Sequence, residues 1–168
     1  RFKGVGKAKA VTIEAALELG KRRLAEKALG CIQIKSSKQA YELVLSELSD
    51  NYYEDFYILL LNRSSHLIRK VLVSSGGIGD TIVDPKKIFK IAIDHNASTL
   101  ILAHNHPTNK LNPSSQDLSL TKKLVKGGNI LSILISDHII VGSDNYFSFA
   151  DNGLLEEFYE EENPEEIS

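Results

Sequence analysis

The side chains best suited to catalysis lie close together in one stretch of the chain. His104 and His106 are two positions apart in an extended segment that follows an apolar run, so their imidazoles should point to the same side. Asp117 follows in the first turn of the next predicted helix. If the intervening loop folds back, two nitrogens and one carboxylate oxygen converge, which is the donor set of a catalytic zinc site with one position open to water. We therefore predict a hydrolytic site holding one zinc ion.

Each part of this pattern also has a simpler interpretation. Ser114-x-x-Asp117 is typical of a capping box at a helix start, and Ser114 can be both a cap and a catalyst. A His-x-His pair in a loop is often only solvent-exposed. The combination of these parts, at the end of a buried strand and the start of a helix, favours the metal site.

A hydrolytic zinc site also needs a general base to take a proton from water. No His-Glu-x-x-His helix supplies one. Glu54 is the best candidate, because it directly precedes the apolar run 56–61 and can lean over the edge of a sheet. Asp55 is the alternative, and an acid in this place is often just a solvated strand end. The residues alone leave this choice open.

The elements that must position these residues alternate between strands and helices, which predicts an α/β domain with helices packed on a sheet. The predicted strands cover 56–61, 67–73, 99–103, 130–135, 138–141 and 146–149, with a hairpin turn at 62–65. Four helices are predicted. The first ends near residues 29–30, and the second runs from 38 to 48 with Ser37 as its cap. The third runs from 85 to about 96 after Asp84, and the fourth extends from Ser114 to Gly127-Gly128. Residues 74–80, with three glycines, predict a flexible loop.

Composition excludes several classes of protein. A single cysteine, Cys31, excludes an intramolecular disulfide framework and a cysteine-based zinc finger. The sequence has no apolar run long enough to span a bilayer, and its first residues lack the basic-then-apolar pattern of a signal peptide. We expect a soluble cytoplasmic protein without membrane partners.

Charge is distributed unevenly along the chain. Residues 1–27 are rich in Lys and Arg, and 156–168 are rich in Glu with no basic residue. A basic end could meet nucleic acid, whereas an acidic tail would repel it. His66, His95 and His138 lie near predicted element ends, where a hydrogen-bonded structural role is the default, although Asp137-His138 could also orient a metal ligand from outside.

One motif and its frame resemble a known family. His104-x-His106-Pro107 followed by Ser114-x-x-Asp117 matches the JAMM (also JAB/MPN) metalloprotease motif. The wider frame resembles the RadC family of bacterial proteins over about residues 2–150. This frame comprises Glu54-Asp55-Phe56, Asp84-Pro85-Lys86-Lys87-Ile88, Pro113-Ser114 and Asp137-His138-Ile139-Ile140.

The resemblance implies a fold, a site and an activity. The fold is a mixed sheet flanked by helices, like the cytidine-deaminase-like JAMM/MPN domain, with a short helical N-terminal segment. By this resemblance His104, His106 and Asp117 bind zinc, Glu54 is the acid/base, and Ser114 hydrogen-bonds the developing oxyanion. The implied activity is zinc-dependent hydrolysis of a peptide, isopeptide or related amide bond in a peptide or protein substrate.

The resemblance also suggests domain boundaries. Residues 1–30 correspond to a partial helix-hairpin-helix-like segment, 31–155 to the hydrolase domain and 156–168 to a flexible acidic tail. The alternative function is a DNA-repair-associated module that binds nucleic acid, with weak, salt-dependent contact through residues 1–27. A nucleobase deaminase is disfavoured because the Pro-Cys-x-x-Cys ligands are missing.

The motif departs from the family pattern at one point. Thr108-Asn109 stands where the family usually has Ser-Gly. Asn tolerates left-handed backbone angles nearly as Gly does, so we expect the loop to keep its path.

Overall fold

The computed structural model describes residues 6–29, 32–49, 51–76 and 83–162, without the side chains of 22–29. The described part alternates helices and strands, as predicted. The elements in chain order are α1 (Lys7–Leu29), α2 (Ser37–Leu48), β1 (Asp55–Leu61), β2 (Leu67–Ser75), α3 (Pro85–Asp94), β3 (Thr99–Asn105), α4 (Ser115–Leu131), β4 (Leu134–Val141), β5 (Tyr146–Ser148) and α5 (Leu154–Glu162).

The strands form one mixed sheet in the order β2-β1-β3-β4-β5. β3 and β4 are parallel and are connected through α4, and every other neighbouring pair is antiparallel. The α/β class and the mixed sheet flanked by helices are therefore confirmed. This topology brings the carboxyl end of β3, the start of β1 and the N-terminus of α4 to the same edge of the sheet.

Both faces of the sheet are covered by apolar side chains. One core packs strand residues such as Ile58, Leu60 and Leu102 against α3, α4 and α5. The other core packs the alternate strand residues against α2, through Val44 and Leu48. Burial on both faces explains why β1 and β3 are nearly continuous apolar runs rather than alternating ones.

Local sequence signals place most element boundaries correctly. Asp84 caps α3 by accepting a hydrogen bond from the Lys86 N–H at 2.9 Å, and the hairpin turn closes with Ser65 at a φ of 59°. The cap of α2 is Ser36 rather than the predicted Ser37. Ser37 instead begins the helix, and its hydroxyl lies 2.5 Å from a carboxylate oxygen of Asp151.

The predicted end of α4 at Gly127-Gly128 is wrong, as is the predicted strand start at 130. The helix continues to Leu131 and ends at Ser132, which has a left-handed φ of 56°. A Cβ at Gly127 would lie 2.7 Å from Cε2 of Phe89, and one at Gly128 would overlap the carbonyl oxygen of Ile133. These glycines therefore allow close packing inside the helix instead of ending it.

The prediction of a flexible acidic tail from residue 156 is wrong as far as residue 162. Residues 154–162 form α5, in which Phe158 is buried. The Tyr159 hydroxyl donates to the carbonyl of Ile135 at 3.1 Å and accepts from its N–H at 3.0 Å. Two aromatic residues thus dock this acidic segment on the sheet, and the glutamates face outward beside lysines of α4.

Some sequence predictions lie outside the described residues. They concern Cys31, the first five residues, the glycines of the 74–80 segment from 77 onward, and residues 163–168. The expected helix near the N-terminus is present as α1. No described helix has the length and apolar character needed to cross a membrane.

The glycine packing leads to a stability prediction. Gly128→Ala should lower the free energy of unfolding by about 1–3 kcal/mol, because the added methyl meets a backbone carbonyl that cannot move freely. Gly20→Ala is the matched control, since a Cβ there meets nothing within 4 Å and Ala favours the helix by about 1 kcal/mol. Urea unfolding of the two variants measures the difference, and equal stability of the two would contradict this account.

Candidate metal centre

The three predicted ligands come together at the carboxyl end of β3. His104 is in β3, His106 follows it directly, and Asp117 is in the first turn of α4. The Nε2 atoms of the two histidines are 2.9 Å apart. They lie 3.2 Å and 3.3 Å from the two carboxylate oxygens of Asp117. The loop therefore folds back as expected, and these are the groups among the described residues that can hold a metal ion.

The hydrogen-bond partners of the cluster make it a site for a cation. Nδ1 of His106 lies 2.5 Å from the carbonyl oxygen of Lys110, which can only accept, so this nitrogen carries the hydrogen. In a neutral imidazole the lone pair is then on Nε2, where it faces His104 and the carboxylate of Asp117. Nitrogen lone pairs and carboxylate oxygens repel each other at this separation unless a proton or metal ion lies among them.

The spacing also fits a metal ion. Two ligands bound tetrahedrally to zinc, each at 2.0–2.1 Å, lie about 3.3 Å from each other. The distances between the imidazole nitrogens and Asp117 match this value, and the nitrogen–nitrogen distance is somewhat shorter. Two imidazoles and one carboxylate form the donor set of catalytic zinc sites rather than structural ones.

The charges of the cluster are strongly coupled. Burial alone would raise the pKa of Asp117, but the imidazoles of His104 and His106 beside its carboxylate outweigh burial and hold that pKa well below its usual range. The hydrogen bond to Asp117 raises the pKa of His106, against the opposing effect of burial, and Glu54 adds to the increase. The carboxylate thus stays ionised, as a metal ligand must.

The structure distinguishes Glu54 from Asp55, the two candidates for the general base between which the residues alone could not decide. Glu54 lines two cavities that adjoin Asp117, of about 430 Å³ and about 440 Å³. Asp55 lines neither of them. Its Oδ2 accepts a hydrogen bond from Asn51 at 2.7 Å, and its Oδ1 is buried without a hydrogen-bond partner among the described residues. Of the two acids, Glu54 is therefore the one that borders the cavities beside the cluster.

Ser114 is the N-cap of α4. Its hydroxyl accepts from the Asp117 N–H at 3.1 Å and donates to Oδ2 of Asp117 at 2.7 Å, and its own N–H donates to the same oxygen at 2.7 Å. The capping box that the sequence offered as a simpler alternative is thus present. It also orients the carboxylate of Asp117 toward the histidines. The oxyanion role implied for Ser114 requires its hydroxyl hydrogen to turn away from Asp117.

Asn105, between the two histidines, is a residue that sequence reasoning missed. Its side chain is buried, its Oδ1 accepts from the Asp55 N–H at 2.9 Å, and its Nδ2 donates to the carbonyl of Tyr53 at 3.0 Å. These bonds hold the residues on both sides of Glu54 against the end of β3. The signal in the sequence was a polar residue that continues an apolar strand, at the position where the strand alternation turns it away from the imidazoles.

His138, for which the sequence left open both a structural role and contact with a metal ligand from outside, contacts His104. Its Nε2 lies 2.8 Å from Nδ1 of His104. Burial, followed by the nearby His104, lowers the pKa of His138 well below its usual value, so its imidazole is neutral. His95 has the expected structural role, since its Nδ1 donates to the carbonyl of Ile91 at 2.8 Å.

Asn109 adopts the left-handed backbone conformation that we expected this residue to tolerate, with a φ of 56°. Its Oδ1 also accepts a hydrogen bond from the Ser143 N–H at 2.8 Å, which a glycine could not do. The loop that carries His106 is thereby attached to the turn between β4 and β5.

Comparisons with known proteins agree with the sequence resemblance. A family model described as RadC-like JAB domain matches residues 34–154. A UPF0758 protein of Flavobacterium johnsoniae is 46% identical over 155 residues, which cover 92% of this chain and 68% of that protein. A UPF0758 protein of Porphyromonas gingivalis is 42% identical, and one of Desulforamulus reducens 39% identical, each with the same coverage.

Metal binding should depend on the carboxylate of the cluster. We expect about one zinc ion per chain in the wild type. Asp117→Asn keeps the size of the side chain but removes its charge, so zinc affinity should fall by more than the roughly 10- to 100-fold typical of an outer-shell change. Titration against a chromophoric chelator measures the affinity. Asp84→Asn, which alters an Asp at the start of another helix, should bind zinc like the wild type. Equal affinity in all three proteins would contradict this assignment.

The pKa shifts also predict how the stability of the metal-free protein depends on pH. Because the folded pKa of His106 is raised, its contribution is fully present below the unfolded pKa of about 6.5 and is lost as pH rises through the folded pKa. The pKa of Asp117 is lowered, so its contribution is present above about pH 4 and is lost only as pH falls toward the folded pKa.

The free energy of unfolding without metal should therefore decrease as the pH rises from about 6.5 through the raised folded pKa of His106. Asp117→Asn should show a smaller decrease, because the hydrogen bond from His106 then loses its charged partner. Urea unfolding in the presence of a chelator measures both proteins. The same pH dependence in the wild type and the variant would show that this pair does not contribute.

Proposed function

Because the chain belongs to the RadC-like JAB domain family, we propose that it is a zinc-dependent hydrolase that cleaves a peptide, isopeptide or related amide bond. The observation that carries this proposal is the placement of Glu54. Glu54 lines the same two cavities as Asp117, beside a cluster that can hold a metal ion. An acid next to such a cluster is the arrangement that hydrolysis of an amide requires.

In this proposal His104, His106 and Asp117 hold the zinc ion. A bound zinc ion polarises a carbonyl oxygen and lowers the pKa of a water molecule to about 7. Glu54 takes the proton of the attacking water on its carboxylate and returns it to the nitrogen of the leaving amine. This second transfer matters because an amine leaves an amide only after its nitrogen has been protonated.

Ser114 has two roles in this proposal. As a cap it fixes the orientation of Asp117, through the two hydrogen bonds that it donates to Oδ2. As a catalytic group it turns its hydroxyl hydrogen toward the oxyanion that develops on the substrate. The backbone N–H of Ser114 keeps Asp117 in place during this change, since it donates to the same carboxylate oxygen.

The two cavities support a substrate that extends on both sides of the scissile bond. The first has apolar walls, formed in part by Phe56, Val83 and Leu120, and also includes Lys123. The second lies along the loop that follows His106 and includes Lys110. Because Glu54 and Asp117 border both cavities, a chain that fills both passes directly over the cluster. We propose that one cavity receives the acyl side of the substrate and the other the amine side.

The DNA-binding alternative rests on the basic N-terminal segment. The described side chains of α1 are exposed, including those of Lys7 and Lys21. This exposure leaves the alternative open without favouring it, whereas the arrangement of Glu54 beside the cluster has no use in DNA binding. DNA therefore enters the experiment below as one class of ligand.

A screen with a matched pair of variants tests this proposal. Zinc-loaded wild type is compared with Glu54→Gln on peptide libraries, isopeptide-linked peptides and DNA. We expect the wild type to cleave the amide bond into a new carboxylate and a new amine. The rate should be lower by about 100- to 10,000-fold in Glu54→Gln, because the glutamine side chain cannot accept the proton. Both proteins should bind zinc equally, since Glu54 is not a ligand.

Asp55→Asn is the control for this experiment. It makes the same change in charge one residue away, on a side chain that lines neither cavity, so its rate should stay close to that of the wild type. Full activity in Glu54→Gln, or loss of activity only in Asp55→Asn, would refute the role proposed for Glu54. Binding of DNA together with no cleavage of an amide bond by any of the proteins would support the alternative function.

A further inference from the structure

A chain of hydrogen bonds leads from the backbone of α4 to the outer nitrogen of His104. Oγ1 of Thr121 lies 2.6 Å from the carbonyl oxygen of Asp117, one turn earlier in the helix. The same hydroxyl lies 2.6 Å from Nδ1 of His138, and Nε2 of His138 lies 2.8 Å from Nδ1 of His104. The side chains of Thr121, His138 and His104 are all fully buried, so no water competes for these bonds.

The carbonyl at one end determines the direction of every bond in this chain. A carbonyl oxygen only accepts, so the single hydrogen of the Thr121 hydroxyl is donated to Asp117. The hydroxyl must then accept from His138, whose hydrogen is therefore on Nδ1. Nε2 of a neutral His138 has only a lone pair and must accept from His104. The hydrogen of His104 is thus on Nδ1, and its Nε2 lone pair faces the cluster.

We propose that Thr121 and His138 are positioning residues that keep the hydrogen of His104 on Nδ1 and so present its Nε2 to a metal ion. This inference rests on the metal site of the proposed function and adds to it two residues outside the ligand set. His106 reaches the same state by a shorter route, through the carbonyl of Lys110. Both ligand histidines are thereby prepared for metal by backbone carbonyls.

Ring packing holds the imidazole of His138 in place within the hydrogen-bonded chain from Thr121 to His104, which we call the relay. The imidazole of His138 stacks on Phe149, with ring centroids 4.7 Å apart and planes at 24°. On its other side the edge of the ring contacts Phe56, with centroids 5.7 Å apart. Rotation of the ring by half a turn, which would put carbon atoms in the places of both nitrogens, therefore requires aromatic side chains of the core to move.

Removal of the Thr121 hydroxyl should reverse the direction of the hydrogen bond between His138 and His104 in the metal-free protein. In Thr121→Val, Nδ1 of His138 loses its acceptor, so the hydrogen moves to Nε2 and is donated to His104. His104 then carries its hydrogen on Nε2, toward Asp117. Metal binding must restore the first arrangement and leave a buried N–H of His138 without an acceptor. Zinc affinity should therefore fall by about 10- to 100-fold.

The experiment has two measurements on four proteins: wild type, Thr121→Val, Thr121→Ser and Thr99→Val. Imidazole nitrogen NMR of the metal-free proteins reports which nitrogen of His138 carries the hydrogen, and chelator competition reports zinc affinity. We expect the hydrogen on Nδ1 in the wild type and in Thr121→Ser, which keeps the hydroxyl, and on Nε2 in Thr121→Val. Thr99→Val makes the same change at the opposite end of β3 and should behave like the wild type.

The two measurements distinguish failure of this inference from failure of the metal site. A wild-type His138 with its hydrogen on Nε2 would overturn the relay, whatever the zinc affinity. Wild-type affinity in Thr121→Val would also overturn it. If His138 has its hydrogen on Nδ1 but the wild type binds no zinc, the proposed function fails and the hydrogen arrangement stands. Thermal unfolding of Thr121→Ser and Thr121→Val shows whether lost packing contributes to the change in zinc affinity. Ser keeps the hydroxyl and loses the methyl group, whereas Val keeps the methyl group and loses the hydroxyl.

Discussion

The parallel pairing of β3 with β4 is the constraint on which the site depends. Parallel neighbours need a crossover, and here the crossover is α4, which must start at the edge of the sheet where β3 ends. His104 at the end of the strand and Asp117 in the first turn of the helix therefore meet without any special loop. The loop between them has only to return His106 to the same place. Antiparallel pairing of β1 with β3 then brings Phe56 opposite His104, and Glu54 beyond it.

That geometry leaves the metal-facing nitrogens of the two histidines and the carboxylate of Asp117 without hydrogen-bond donors between them. His106 donates its hydrogen to a carbonyl outside the cluster, and the hydrogens that Ser114 donates reach Asp117 from its outer side. The structure thus holds two imidazole nitrogens and a carboxylate close together against their mutual repulsion. A cation removes that repulsion, and for this reason the metal site and the local packing must be understood together.

Polar residues that are not ligands connect the cluster to the rest of the domain. Asn105 ties the segment around Glu54 to β3, and Asn109 ties the loop around His106 to the turn after β4. Both use side-chain amides, which can donate and accept at once. Asn105 therefore fixes the segment that carries Glu54 relative to the end of β3, and Asn109 fixes the loop that carries His106 relative to β4.

Local patterns in the sequence determined the elements and the ligand set. Apolar runs marked the strands, Asp84-Pro85 marked the start of α3, and the spacing of two histidines and an aspartate identified the residues that the structure brings together. The tertiary structure decided what depends on distant neighbours. Gly127-Gly128 resembles a helix end until Phe89 and Ile133 are packed against it, and the acidic segment resembles a tail until Phe158 is buried. His138 became part of the site because β4 lies beside β3, and Glu54 was separated from Asp55 because only one of them borders the cavities. In each case a contact between residues far apart in the chain outweighs a local preference, and no local pattern encodes such a contact.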